Sequence, residues 1–164
     1  MEPRKEARVT IHEIYIKAPA DQIWEAITSP DWTAQYGYRS AMSYELWPGG
    51  KFVSRATPQM RQFGLPEVVV DGEVIEALPP RRLVQTFRFL FSPQNVAEGF
   101  TRLTYEIEPT PAGFCRLRIT HDVTAAPMME KDVTRTFSDR GGGGWNWTLS
   151  DLKSLLETGR PLSG

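Results

Sequence analysis

His12, in the run VTIHEIYIK, and His121, in LRITHDV, are the side chains of this sequence able to change protonation near neutral pH. Side chains on a strand alternate between faces, so His121 falls with Cys115, Leu117 and Ile119, opposite Phe114, Arg116, Arg118 and Thr120. His12 is in phase with Ile14 and Ile16. An imidazole on an apolar face suits general acid/base work, but a histidine held by one core hydrogen bond is the commoner arrangement. Tyr105, in phase with Leu103 and Ile107, would turn its hydroxyl inward and need a partner there. Arg88 stands in the aromatic run TFRFLF, where a guanidinium could hold a ligand carboxylate or face solvent.

Other chemistries lack their parts. Two histidines without a third ligand make no zinc site, and Asp122 alternates to the face opposite His121, so no metal and no cofactor are expected. Cys115 is the single cysteine; it has no Cys-His signature, and alternation buries it among aliphatics, where a thiol behaves as a small hydrophobe. No Gly-x-Ser-x-Gly elbow occurs. Glu73 with Glu76 and Glu106 with Glu108 have spacings compatible with paired carboxylates, and solvated outer-face charges account for them better. The four glycines before Trp145 are not a phosphate loop, because no Gly-Lys-Ser/Thr follows and no strand leads into them.

These residues need elements to position them. At 164 residues, 40% hydrophobic and 24% charged, the chain has the composition of one globular domain, with flexible ends expected over residues 1–7 and 160–164. A balance of 19 basic against 20 acidic residues leaves no stripe for nucleic acid and no polybasic membrane patch. The charged start MEPRKEARV is not a signal peptide and no segment is long enough to span a bilayer, so a cytoplasmic location is expected.

Val9 to Lys17 predicts a first strand, and Asp21 caps a short helix carrying Ile23, Trp24 and Ile27. A second short turn through Trp32 and Tyr36 is predicted after Ser29-Pro30-Asp31. From Tyr44 onward, strands separated by proline- and glycine-rich turns predict an antiparallel meander. Val133, Phe137, Trp145, Leu149, Leu152 and Leu156 then recur at helical spacing, with Gly141 extending the stripe. If the helix runs through the glycines, Gly141 and Gly144 leave a hollow against the sheet; if it breaks there, they form a hinge. The connection Thr57 to Val68 is longer than a hairpin requires, so Met60, Phe63 and Leu65 are candidate lid residues.

The stretches IKAPADQIWEAIT, WPGGKF, DGEVIEALPPRRLVQTF, TRLTYEIEPTPAG, LRITHD and GWNWTLSDLKSLLETG resemble, in order and spacing, members of the SRPBCC (START-like) superfamily. Within it they look closest to the group named after the activator of the heat-shock-protein-ninety ATPase. The resemblance runs from about Val9 to Leu162 and implies an α+β helix-grip fold. In that fold a strongly bent antiparallel sheet wraps a long C-terminal helix, two short helices follow the first strand, and the first strand lies beside the last. His12 and His121 would then be close. It also implies an internal cavity, for which Trp24, Trp32, Phe87, Phe89, Arg88, Tyr105, Ile119, His121, Phe137, Gly141, Gly144, Trp145 and Leu149 are the candidate lining.

The rings, together with the missing catalytic motifs, favour a protein that binds a small apolar or amphipathic molecule. The alternatives are a polyketide cyclase/aromatase-like enzyme working through His121, His12, Tyr105 and Arg88, and a chaperone-activator-like interaction through an exposed apolar patch. A homodimer is a further possible partnership.

Overall fold

The computed structural model describes residue 3, residues 5–137 and residues 143–162. Its elements follow the order β1 (Val9–Ile16), α1 (Ala20–Thr28), α2 (Pro30–Thr33), β2 (Ala41–Tyr44), β3 (Lys51–Arg55), α3 (Pro58–Gln62), β4 (Val68–Leu78), β5 (Arg82–Phe89), α4 (Pro93–Glu98), β6 (Thr101–Pro109), β7 (Cys115–Asp122), α5 (Pro127–Val133) and α6 (Gly144–Thr158).

The strands form one seven-stranded antiparallel sheet in the order β1-β7-β6-β5-β4-β3-β2. β2 to β7 are a meander, and β1 adds to the far edge beside β7, so α1 and α2 connect strands at opposite edges of the sheet. Bulges at Ser54/Arg55 and at Val74/Glu76 break the regular register, and a bulged strand bends and twists more strongly. The architecture is α+β, with the C-terminal helix α6 laid on the inner face of the sheet, as a helix-grip fold requires.

Alternation decides which face is which. Leu103, Tyr105 and Ile107 of β6 and Cys115, Leu117, Ile119 and His121 of β7 are buried on the inner face. The outer face carries a row of opposite charges across four strands. Glu13 lies opposite Arg118, which lies opposite Glu106, which lies opposite Arg82. Arg118 bonds Glu13 at 2.8 Å, while Arg82 sits 3.6 Å from Glu106 and 3.7 Å from Glu76. Such exposed pairs contribute about 0–1 kcal/mol each and mainly keep this face wet.

Two connections left open by the sequence are decided by the structure. The apolar stripe from Val133 to Leu156 is not one helix: α5 ends at Val133 and α6 begins at Gly144. Gly143 is extended and Gly144 has φ +70°, and a Cβ on Gly144 would run into the Val133 carbonyl. Continuation through these positions would need backbone angles they do not have. Gly141 lies outside the described residues. The Thr57–Val68 connection holds the short helix α3, which Thr57 caps, its Oγ1 accepting from the Met60 amide at 3.2 Å. Ser92 caps α4 in the same way, accepting from the Asn95 amide at 3.2 Å. In both cases a hydroxyl followed by proline starts a helix where turn residues alone suggested a loop.

Candidate functional site

Between the inner face of the sheet and α6 lies a cavity of about 340 Å³. One wall is a row of residues opposite one another across four strands: Met42 on β2, Ser54 on β3, Val70 on β4 and Phe89 on β5. Phe87, Tyr105 and Ile119 continue the wall across β5, β6 and β7, and α6 closes it with Trp145, Leu149 and Leu152. The aromatic rings pack edge to face or tilted: Phe87 lies 6.0 Å from Trp145, Tyr105 6.2 Å from Trp145, and Phe89 5.6 Å from Phe87.

Of the residues singled out in the sequence, Phe87, Phe89, Tyr105, Ile119, Gly144, Trp145 and Leu149 border this cavity. Met60 and Leu65, from α3 and the segment after it, border it too. The other candidates stand elsewhere. Phe63, at the end of α3, is 79% exposed, and Phe137 is 85% exposed because α5 ends before it. Trp24 and Trp32 pack into the core, while Ile27, Thr33 and Tyr36 from the same region face the cavity instead. Arg88 alternates away from Phe87 and Phe89 to the other face of β5. There it pairs in two-pronged fashion with Asp71 at 3.0 and 2.9 Å and lies over the Phe100 ring at 4.2 Å.

His121 is fully buried, and both its ring nitrogens are engaged. Trp145 Nε1 donates to Nδ1 at 3.0 Å, so the ring proton sits on Nε2 and is donated to Thr101 Oγ1 at 2.7 Å. Thr101 in turn donates to the Phe87 carbonyl at 2.8 Å. Every proton in this chain of bonds has one acceptor. Burial, with a smaller contribution from the charge of nearby His12, pushes the His121 pKa down to about 4. The imidazole is therefore neutral at neutral pH and acts as a joint that fixes the Trp145 ring over the cavity. It is not among the cavity-lining residues. His12 lies diagonal to it, with Thr10 opposite His121 and His12 opposite Ile119, and its Nδ1 meets Asn146 Oδ1 on α6 at 2.9 Å. The two imidazoles are neighbours, yet each is tied to α6 separately.

The polar groups on the cavity are mostly hydroxyls. Tyr36 donates to the Ala26 carbonyl at 2.8 Å. The Tyr105 hydroxyl interacts with that of Tyr44, which donates to Gln85 Oε1 at 2.8 Å. Burial holds the Tyr36 and Tyr105 phenols well above the ordinary phenol pKa, so they stay protonated. Among the described residues no group of three His, Cys, Asp or Glu side chains is placed to hold a metal ion, and no helix is long and apolar enough to cross a membrane.

Two residues that sequence reasoning passed over shape the site. Ser54, in phase with Phe52 in KFVSR, is fully buried on the cavity wall; its alternation was readable in the sequence. Asp151 is fully buried at the edge of the apolar arc of α6, seven residues after Gly144 and four before Leu155. Its carboxylate accepts from the Gly37 amide at 2.8 Å and from the Leu162 amide at 2.6 Å. Gly37 has φ +61° and sits against Thr148, so Asp151 fastens the turn beside the cavity to the helix that closes it.

A comparison with curated proteins gives no match. Among solved structures, the crystal structure of CalU16 from Micromonospora echinospora is 20% identical with a TM-score of 0.64, covering 93% of this chain and 78% of that one. A protein of Nitrosomonas europaea is 18% identical with a TM-score of 0.63, over 93% of this chain and 96% of that one. A Cytophaga hutchinsonii protein, solved in solution, is 18% identical with a TM-score of 0.64, over 94% and 97% respectively. At these identities the likeness is one of fold. The profile of the family described as activator of Hsp90 ATPase homolog 1-like protein matches residues 17–157. With most of its length matched, the chain belongs to the activator of Hsp90 ATPase homolog 1-like family.

Proposed function

We infer that this protein binds a small, largely apolar molecule in the cavity between the sheet and α6. The observation that carries this reading is a space of about 340 Å³ bordered by aromatic and aliphatic side chains, in a region where interiors are normally filled. Ligand sites span roughly 300–1,000 Å³, so this one suits a compact ligand at the small end. Met60 on α3 and Leu65 just after it border the same space from a stretch of otherwise exposed surface, which supports a role for this connection as its cover.

A cyclase-like reaction in the same cavity is the second reading, and Tyr105 favours it. Its phenol borders the space and is held protonated by burial, so it would not act as a base; by turning its proton away from Tyr44, whose own proton goes to Gln85, it would donate a hydrogen bond to a developing oxyanion.

The test is titration with the uncharged dye N-phenyl-1-naphthylamine, whose fluorescence rises in apolar surroundings. Wild type is expected to bind it, and Leu149→Phe, which extends a ring into the space, is expected to weaken binding by about tenfold, roughly 1.4 kcal/mol, with an unchanged melting temperature. Equal binding by both proteins would sink the cavity as the site.

A further inference from the structure

We propose that Ser54 is a recognition group, and that the ligand is an uncharged, mainly ring-like molecule carrying a hydroxyl or carbonyl oxygen placed against Ser54 Oγ. This rests on the cavity reading above and adds the ligand's polar chemistry to it.

Ser54 is 0% exposed, borders the cavity, and its Oγ has no hydrogen-bond partner among the described residues. Buried hydroxyls are almost always paired, because an unpaired one loses its bonds to water and gains nothing. Its surroundings supply no substitute. Met42 and Val70 are its cross-strand neighbours, Phe52 precedes it on the same face of β3, and Phe89 lies beyond Val70. Alanine would fill this position in the wall without leaving a stranded polar atom.

Other hydroxyls around the space are already committed: Tyr36 to the Ala26 carbonyl, Thr148 to the Gly144 carbonyl, and Tyr44 to Gln85. Thr33 Oγ1 accepts from the Met42 amide at 2.8 Å. Ser40 Oγ lies 3.9 Å from Met60 Sδ and the Tyr105 hydroxyl is joined to Tyr44, whereas Ser54 Oγ is the buried hydroxyl of this wall without a partner among the described residues.

The neighbours also set the ligand's charge. No cation or anion stands among Met42, Phe52, Val70 and Phe89, and burying an ion without a partner is far costlier than burying a neutral oxygen. The charged residues that also border the cavity come from other segments: Arg39 from the turn before β2, and Asp132 and Arg135, which pair with each other at 3.3 Å, from α5 and the segment after it. A neutral oxygen on a flat apolar body fits the wall that contains Ser54.

The experiment compares two probes of nearly equal shape, 1-naphthol and 1-methylnaphthalene, by calorimetric titration of wild type, Ser54→Ala and Ser54→Thr. The quantity read is the ratio of affinities for the two probes, which cancels their different hydrophobicity when proteins are compared. Wild type should exceed Ser54→Ala in this ratio by about two- to tenfold, the equivalent of one net hydrogen bond. Ser54→Thr keeps the hydroxyl and should retain the wild-type ratio. Equal ratios in wild type and Ser54→Ala, with both probes bound, would overturn the role of Ser54 and leave the cavity reading standing. Failure of wild type to bind either probe would overturn both.

Discussion

At the scale of single residues, the sharpest case is His121, whose position on an apolar strand face allowed catalysis but favoured a core hydrogen-bonding role. Its two bonds, from Trp145 and to Thr101, use both nitrogens and assign it to structure. That assignment has a pH signature. The folded pKa is about 4 against 6.5 for the free side chain, so between these values the unfolded chain binds more protons than the folded one. Stability contributed by neutral His121 is complete above about pH 6.5 and is lost as the pH falls through about 4. In full it amounts to on the order of 3 kcal/mol, at 1.36 kcal/mol per pKa unit. Urea unfolding at stepped pH should show this loss in wild type and lack it in His121→Asn, which can donate and accept without titrating in this range. An imidazole signal of His121 that titrates near pH 6.5 in the folded protein would refute the joint. Arg88 gives the converse lesson: the same alternation that puts Phe87 and Phe89 inside sends the guanidinium outside, to Asp71.

At the scale of elements, the boundary between α5 and α6 matters most, because it places Trp145 at the start of the closing helix. Gly144 carries it. Its φ of +70° disfavours any side chain, and a Cβ would meet the backbone at Val133 and Arg135, which cannot move aside cheaply. Gly143 is extended, and a Cβ there would meet the flexible Arg135 side chain at 2.6 Å. Gly144→Ala should therefore destabilise by about 1–3 kcal/mol, and Gly143→Ala by clearly less. Denaturant midpoints of the two variants decide it, and equal losses would count against a helix start fixed by the backbone of Gly144.

At the scale of the whole molecule, the cavity is enclosed by the sheet, by α6 and by the turn that Asp151 fastens, so a bound molecule should stabilise the folded chain as a unit. With N-phenyl-1-naphthylamine at about a hundred times its dissociation constant, global stability should rise by roughly 2.7 kcal/mol. Thermal unfolding monitored by circular dichroism would show a single transition moving upward; an unmoved transition at saturating dye would place the dye outside the folded core. The resemblance of quoted motifs to a family, the order of strand, two short helices, meander and last helix, and the inward faces of β1, β5, β6 and β7 were all legible in the sequence. They depend on periodicity and turn residues, which are local properties. Most of the cavity wall on β5, β6, β7 and α6 followed from the same periodicity. The sequence did not reveal that the apolar stripe breaks at Gly144, that Phe63 and Phe137 stay outside, or that His121 is consumed by Trp145. Nor did it show that Asp151 holds Gly37 from 114 residues away. Those outcomes were left to the tertiary structure, because a side chain's partner and depth are set by which distant segments pack against it, and periodicity specifies only the face from which it projects.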